Sequence, residues 1–181
     1  DFNNWEVSKE DNSQMLRDDN AGCWWITIKG LDSTKEYAFQ YHLTTVTGEH
    51  IRIADAYARK ILDPYNDKYI SVSTYPENKA YPTGAEGIVS VFQTKPTPYN
   101  WKVSNFKVAD KDDLVIYEML LRDFTASGDL NGAKAKLSYL KSLGVNAIEL
   151  MPVQEFDGND SWGYNPCFFF ALDKAYGTDK M

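Results

Sequence analysis

Two stretches decide the fold of this chain: LVIYEMLL at residues 114–121 and AIELM at residues 147–151. Both are almost continuously apolar, which is typical of parallel strands that are covered on both faces. A helical pattern separates them, and strands that alternate with helical patterns indicate a parallel sheet. The sequence therefore predicts one βαβ unit between residues 114 and 151.

The helix of this unit is predicted from its spacing and its ends. Apolar side chains recur at helical intervals at Ala133, Leu137, Leu140 and Leu143. Asn131 or Asp129 can cap its start, and Gly144 stands where the end of a helix favours a left-handed residue. Two parallel strands leave their outer edges unpaired, so we expect residues 112–181 to be the incomplete start of a larger α/β domain.

Residues 1–63 have the pattern of short antiparallel strands. CWWITI (23–28) is rich in β-branched and aromatic residues, and EYAFQYHL (36–43) alternates polar and apolar positions. HIRIA (50–54) follows the turn signal TGE (47–49). We interpret these stretches as half-buried strands of a short meander.

Residues 64–111 are predicted to be an ordered connection between the two regions. Prolines stand at positions 64, 76, 82, 96 and 98, and the one strand-like run is IVSVF at 88–92. The segment also carries six Tyr and Trp side chains, which make it too apolar for a free linker: Tyr65, Tyr69, Tyr75, Tyr81, Tyr99 and Trp101.

Charge and amino-acid composition limit the classes of protein to which this chain can belong. A net charge of -7 without clustered Lys or Arg argues against a duplex-binding protein, and no apolar run reaches the length of a membrane helix. The 2 Cys and 2 His are too isolated to indicate a zinc site or a disulfide framework. Aromatic residues make up 14% of the chain, and such rings either stack on sugars or fill β-sheet cores.

Three motifs in residues 115–166 resemble those of a known protein family. VIYEMLLRDFT (115–125), LSYLKSLGVNAIELMPV (137–153) and WGYNP (162–166) resemble, in order and spacing, the first two strands of the barrel of the alpha-amylase family. Within that family the chain looks most like pullulanases and branching enzymes. The resemblance implies that residues 112–181 are the first βαβ unit and the following loop of a TIM (β/α)8 catalytic barrel.

The front of the chain is similar to the module that precedes such barrels. DFNNW (1–5), Trp24-Trp25 and IADAYA (53–58) resemble an immunoglobulin-like starch- and glycogen-binding domain. The implied fold is a truncated immunoglobulin-like β-sandwich over residues 1–63, whose first strands are missing, followed by the start of the barrel.

The resemblance implies a glycoside hydrolase that acts on alpha-1,4 or alpha-1,6 glucans such as starch, glycogen or pullulan by a retaining mechanism. A non-catalytic glucan-binding protein, a branching transglycosylase and a scaffold protein are the alternatives. The expected partner is an alpha-glucan polysaccharide or maltooligosaccharide, and neither a membrane nor nucleic acid. The oligomeric state and the compartment stay open.

Barrel sites lie at the carboxyl ends of the strands. In the family the tyrosine that matches Tyr164 stacks beneath the sugar, and Trp162 matches a position near the same ring. Both could instead anchor a long loop. Asn165 is a weaker substrate-binding candidate, since its side chain can hold the loop by local hydrogen bonds. Trp24 and Trp25 point to opposite faces of a strand, and one of them could form a sugar platform in the module.

No catalytic residue is expected in this chain. A retaining glycosidase needs two carboxylates roughly 5 to 5.5 Å apart, and in the family these residues and an assisting third carboxylate belong to later strands. Four other carboxylates match no catalytic position and are expected in salt bridges or loops: Glu118, Glu149, Glu155 and Asp157. No cofactor or metal is predicted here, although calcium is frequent in the complete enzymes of the family.

Overall fold

The computed structural model describes residues 4–6 and 13–178. The chain divides into two compact units, the first formed by Asp1–Asp63 and Lys79–Pro96 and the second by Pro64–Asn78 and Thr97–Met181. Residues 64–111, which the sequence predicts to be one connection, are thus divided between the units. The start of the DFNNW motif, residues 1–3, lies outside the described residues.

Unit 1 is built from short antiparallel strands. Its strands are β1 (Leu16–Asp18), β2 (Cys23–Trp25), β3 (Tyr37–Phe39), β4 (Tyr41–Thr44), β5 (His50–Ile53), β6 (Lys60–Leu62) and β7 (Val89–Phe92). They form the hairpins β1–β2 and β4–β5 and a three-stranded sheet in the order β3-β7-β6. The immunoglobulin-like sandwich stays a prediction.

The predicted strand 36–43 is two strands in the structure, and Gln40 separates them. Its side-chain Nε2 donates to the carbonyl oxygens of Glu86 and Ile88, at 2.5 and 2.7 Å. On one side of Gln40, β3 pairs with β7; on the other side, β4 pairs with β5 across the predicted turn, in which Gly48 has a φ of 82°. The polar and apolar residues of the segment 36–43 alternate on both sides of Gln40. This alternation reflects only the face to which each side chain points, so it is unchanged where the strand pairs with a different neighbour.

The core of unit 1 joins the sheet to the front of the chain. Ala38, Leu62, Val89 and Val91 are buried, and Trp5 packs against them. The Arg52 guanidinium donates to the carbonyl oxygens of Gly84 (2.7 Å) and Trp5 (2.9 Å). The strand-like run at 88–92 therefore belongs to the core of this unit.

Unit 2 contains the predicted βαβ unit. Its elements are β8 (Ile116–Met119), α1 (Leu121–Phe124), α2 (Leu130–Ala135), α3 (Leu137–Ser142), β9 (Ala147–Leu150), β10 (Gln154–Phe156) and β11 (Pro166–Leu172). β8 and β9 are parallel, with Glu118 opposite Glu149, and β10 and β11 are antiparallel.

The ends of the helical segment agree with the prediction, and its middle does not. Asp129 is the cap, since its carboxylate accepts from the backbone N–H of Gly132 at 2.7 Å. Gly144 ends the segment with a φ of 87°. The expected single helix is divided into α2 and α3 at Lys136, whose φ and ψ are -100° and 0°.

The core of unit 2 covers one part of the parallel strands. It consists of Met119, Leu121, Ala133, Leu140, Phe156 and Tyr176. Ile116 and Leu150 stay exposed among the described residues, which agrees with the expectation that two parallel strands by themselves leave much of their apolar surface uncovered. Across the described residues we find no helix with the length and apolar character of a membrane span.

Candidate functional site

The predicted site residues Trp162, Tyr164 and Asn165 lie in one loop that follows β9. After Leu150 the chain enters β10, and residues 157–165, here called the aromatic loop, connect β10 to β11. Trp162 is 64% exposed and Tyr164 is 63% exposed. Two flat rings with one residue between them are therefore open to a ligand near the carboxyl end of a parallel strand.

Gly163 fixes the chain between these two rings. It is buried and has a φ of 89°, a conformation that side chains rarely adopt. A Cβ atom at this position would stand 2.2 Å from the carbonyl oxygen of Pro152. Only glycine allows this approach, and it joins the aromatic loop to the residues that follow β9.

Hydrogen bonds within the loop involve Asn165. The hydroxyl of Ser161 donates to Asn165 Oδ1 and accepts from the backbone N–H of Gly163 at 2.9 Å. The Asn165 side chain thus makes a local hydrogen bond, which is the role predicted for it as the alternative to sugar binding. It is exposed.

Arg122, which follows β8, ties the loops after the two parallel strands together. Its Nη1 contacts the Asp160 carboxylate and lies 3.3 Å from the carbonyl oxygen of Ser161. Its Nε donates to Asp123 Oδ1 at 2.9 Å. The hydrogen bond from Arg122 lowers the pKa of Asp123, so this carboxylate stays charged.

The other carboxylates occupy different surroundings. Glu118 and Glu149 stand opposite each other on the parallel strands and are exposed, as is Asp157. Glu155 is buried and contacts the Lys174 ammonium, which agrees with the expected salt bridge. Burial raises the pKa of Glu155 to about 7, although Lys174 opposes this.

Sequence reasoning missed the surroundings of Lys174. Lys174 and Asp173 are almost completely buried, as is Tyr176. Burial raises the pKa of Asp173 to about 6. The signal was a charged pair, Asp173-Lys174, at the end of the apolar run FFFAL (168–172). Within the described part of the chain, no three His, Cys, Asp or Glu side chains are grouped to hold a metal ion.

In unit 1, Trp24 and Trp25 are exposed on the β1–β2 hairpin, at 60% and 48%. The guanidinium of Arg17 lies 5.9 Å from the centre of the Trp24 ring and pairs with Asp19 at 2.7 Å. Leu16 stands opposite Trp25 in register. Neither tryptophan belongs to the buried core of the unit.

Comparison with known proteins decides the family. The family described as alpha amylase, catalytic domain, matches residues 90–181, which is more than half of the chain. The chain belongs to the alpha-amylase family. The aromatic loop, β8 and β9 all fall inside this alpha-amylase match.

The similarity of this alpha-amylase family chain to its relatives includes residues of both units. It is 35% identical over 133 residues to a malto-oligosyltrehalose trehalohydrolase of Saccharolobus solfataricus, covering 74% of this chain and 22% of the relative. It is 29% identical to chloroplastic isoamylase 1 of Oryza sativa subsp. japonica, covering 96% of this chain and 23% of that protein. The chain therefore spans about a fifth of the length of these relatives.

A solved structure is also similar. The 1.4 Å crystal structure of a Salmonella typhimurium protein assigned as an alpha amylase superposes with a TM-score of 0.55 at 30% identity. The match covers 78% of this chain and 20% of that chain. The fold neighbour is thus of the same family, while the narrower resemblance to pullulanases and branching enzymes stays a prediction.

Proposed function

We propose that this protein is a glycoside hydrolase of alpha-1,4 or alpha-1,6 glucans, and that the aromatic loop supplies part of its sugar-binding surface. The observation that carries the proposal is the exposure of Trp162 and Tyr164 on either side of Gly163, whose backbone contacts Pro152 just after β9. In barrel enzymes the loops at this end of the strands form the active site.

A flat, exposed ring suits a neutral sugar. Tyrosine and tryptophan offer an apolar face for the C–H groups of the sugar and a polar edge for its hydroxyls. Two relatives, a malto-oligosyltrehalose trehalohydrolase and an isoamylase, support an alpha-glucan substrate for this chain. We propose Tyr164 as the ring beneath the sugar, with Trp162 beside it and Asn165 in a mainly structural role.

The proposed mechanism is retaining, with a carboxylate nucleophile and a carboxylic acid/base from later strands of the barrel. The contribution of the described residues is then to orient the sugar rather than to break the bond. A branching transglycosylase would use the same chemistry with a glucan as the acceptor. Product analysis separates the two, because hydrolysis creates new reducing ends and branching transfer conserves their number.

We further propose that residues 1–63 form a glucan-binding module, with Trp24 or Trp25 as its platform. The exposure of both rings on the β1–β2 hairpin supports this role. Lys79–Pro96 clusters with the same unit, so the module would include β7.

The test is Tyr164→Ala in the full-length protein. Loss of the stacking ring is expected to lower kcat/KM on maltooligosaccharides about 10- to 100-fold, with little change in Tm. Tyr139→Ala is the matched control, since Tyr139 is a similarly exposed tyrosine on α3. Kinetics of Tyr164→Ala equal to those of the control would contradict the stacking role.

A further inference from the structure

A buried ammonium joins the base of the aromatic loop to a distant turn. Lys174 follows β11 and is 2% exposed. Its Nζ contacts Glu155 Oε1 in β10 and lies 3.3 Å from Asp67 Oδ1. Asp67 begins a short 3-10 turn, Asp67–Tyr69, which belongs to the separate segment of unit 2.

The first part of the aromatic loop reaches the same turn by an independent contact. Asn159 Nδ2 donates to the backbone carbonyl oxygen of Asn66 at 2.9 Å. Asn66 directly precedes Asp67. The pair Asn66-Asp67, here called the anchor turn, therefore contacts the first part of the aromatic loop through Asn159 and, through Lys174 and Glu155, the strand β10 that leads into it.

Other contacts of the loop lie near the ends of the two parallel strands. Arg122 holds Asp160 and Ser161, and Gly163 rests on Pro152. These contacts involve Asp160, Ser161 and Gly163, whereas the contact with the anchor turn is made by Asn159, nearer the start of the loop. The anchor turn supplies the point of attachment on that side.

We propose that the anchor turn, acting through Asn159 and Lys174, is a positioning element that sets the orientation of the Trp162 and Tyr164 rings toward a glucan chain. This inference rests on the proposed function of the aromatic loop. A stacking surface that must align a sugar for reaction needs its planes held within a narrow range of orientations, and supporting residues provide that restraint.

A purely stabilising role for the Lys174 cluster is the competing explanation. Buried ion pairs are weak sources of stability, because removing the charges from water costs about as much as their attraction returns. Breaking one side of such a pair is nevertheless destabilising. The tests must therefore separate the position of the loop from the stability of the fold.

The first test is Asn159→Asp in the full-length protein. The variant keeps the shape of the side chain but turns the donor into a carboxylate oxygen that faces a carbonyl. We expect KM for maltooligosaccharides to rise about 5- to 20-fold, with kcat changed less. A fold defect would act differently, since it lowers the active fraction and thus the apparent kcat while KM stays constant.

Hydrogen exchange provides a readout that needs no sugar. In Asn159→Asp, peptides that cover residues 157–165 should exchange faster than in the wild type, because the loop opens more often. The matched control is Asn131→Asp, the same chemical change at an exposed position of α2. Unchanged exchange in the loop, or an equal change in the control, would overturn the inference.

The second test uses Lys174→Met alone and together with Glu155→Gln. The single variant leaves buried carboxylates without their cation and is expected to lower Tm. The double variant removes the Glu155 charge as well and should recover most of the Tm. Positioning predicts that KM stays raised and the loop exchange stays fast in the double variant. Recovery of KM and exchange together with Tm would mean that the cluster only stabilises the fold.

These readouts also separate the inference from the function on which it rests. A wild-type protein without activity or affinity for alpha-glucans would defeat the proposed function, whereas faster loop exchange in Asn159→Asp would still support positioning by the anchor turn. An active wild type with unchanged loop exchange and unchanged KM in both variants would defeat the positioning role alone.

Discussion

The aromatic loop and the β1–β2 hairpin expose tryptophan to similar extents, 64% for Trp162 and 60% for Trp24, but they are held very differently. The loop is attached to the anchor turn, to Arg122 and to Pro152. The contacts found around Trp24 are the pairing of β2 with β1 and the nearby guanidinium of Arg17.

Exposure alone therefore does not distinguish a reaction site from a general sugar platform. A ring that is fixed in advance loses little freedom on binding and presents one orientation, which suits a sugar that must be aligned for chemistry. A ring on an isolated hairpin suits a repetitive polymer, for which many registers are equally useful. The following predictions test this difference, starting with the largest expected effect.

The largest effect is expected for Gly163→Ala. The added methyl group would overlap the carbonyl oxygen of Pro152, and the φ of 89° is strained for alanine. The loop must shift, and displacements of about 1 Å can cost about 100-fold in rate. We expect kcat/KM on maltooligosaccharides to fall at least about 100-fold and Tm to fall by about 5 °C or more.

Gly22→Ala in the turn of the hairpin is the control. Gly22 also has a positive φ, 64°, but no atom lies within 4 Å of its Cβ position. Only backbone strain of about 1–2 kcal/mol applies there, so maltooligosaccharide kinetics should stay constant. Equal losses in both variants would show that the two aromatic surfaces are not held differently.

In unit 2, features that depend on neighbouring residues were predicted from the sequence better than contacts between residues far apart in the chain. The apolar runs predicted β8 and β9, Asp129 was one of two cap candidates, and Gly144 marked the helix end. Each of these signals lies within a few residues of the structure it specifies. The family motif likewise placed Trp162 and Tyr164 after the second strand.

Partners distant in sequence could not be predicted. Nothing around Asp67 indicates that Lys174 will be its partner, and nothing around Asn66 indicates Asn159. The same reason explains the break at Gln40, since a pattern of period two is identical whether the strand keeps one partner or changes to another. The anchor turn and the division of residues 64–111 became visible only with the fold.

The next effect concerns pH and the buried cluster of Glu155, Asp173 and Lys174 beside the aromatic loop. Burial raises the pKa of Glu155 from 4.5 to about 7, against the opposing Lys174 ammonium and together with the charges of Asp173 and Asp67. Between these two values the folded state keeps a proton that the unfolded state has lost. The stability that Glu155 contributes is therefore present at low pH and is lost as the pH rises from about 4.5 to about 7.

Thermal unfolding between pH 4.5 and 7.5 measures this effect. Asp173, with a pKa raised to about 6, changes stability in the same direction. The Tm of the wild type should fall by several degrees over this range. Glu155→Gln, whose amide oxygen can still accept from Lys174, should make the dependence clearly weaker. A dependence that is identical in wild type and variant would exclude Glu155 as its source.

The smallest effect is expected on the hairpin and separates its two rings. Adjacent residues of a strand point to opposite faces, so Trp24 and Trp25 cannot both lie beneath the same glucan chain. We expect one of the variants Trp24→Ala and Trp25→Ala to weaken retardation by glycogen in an affinity gel about 2- to 5-fold. The other variant should behave like the parent protein.

These gels are best run in the Tyr164→Ala background, because the aromatic loop then contributes less to glycogen binding. Leu16→Ala is the control, since Leu16 is an exposed apolar neighbour that pairs with Trp25 but carries no ring. Equal weakening by Leu16→Ala would mean that apolar area, and not stacking, holds the polymer. If glycogen retarded the wild type but not the Tyr164→Ala protein, exposure without anchoring would provide no platform, and the fixed aromatic loop alone would account for sugar recognition by this chain.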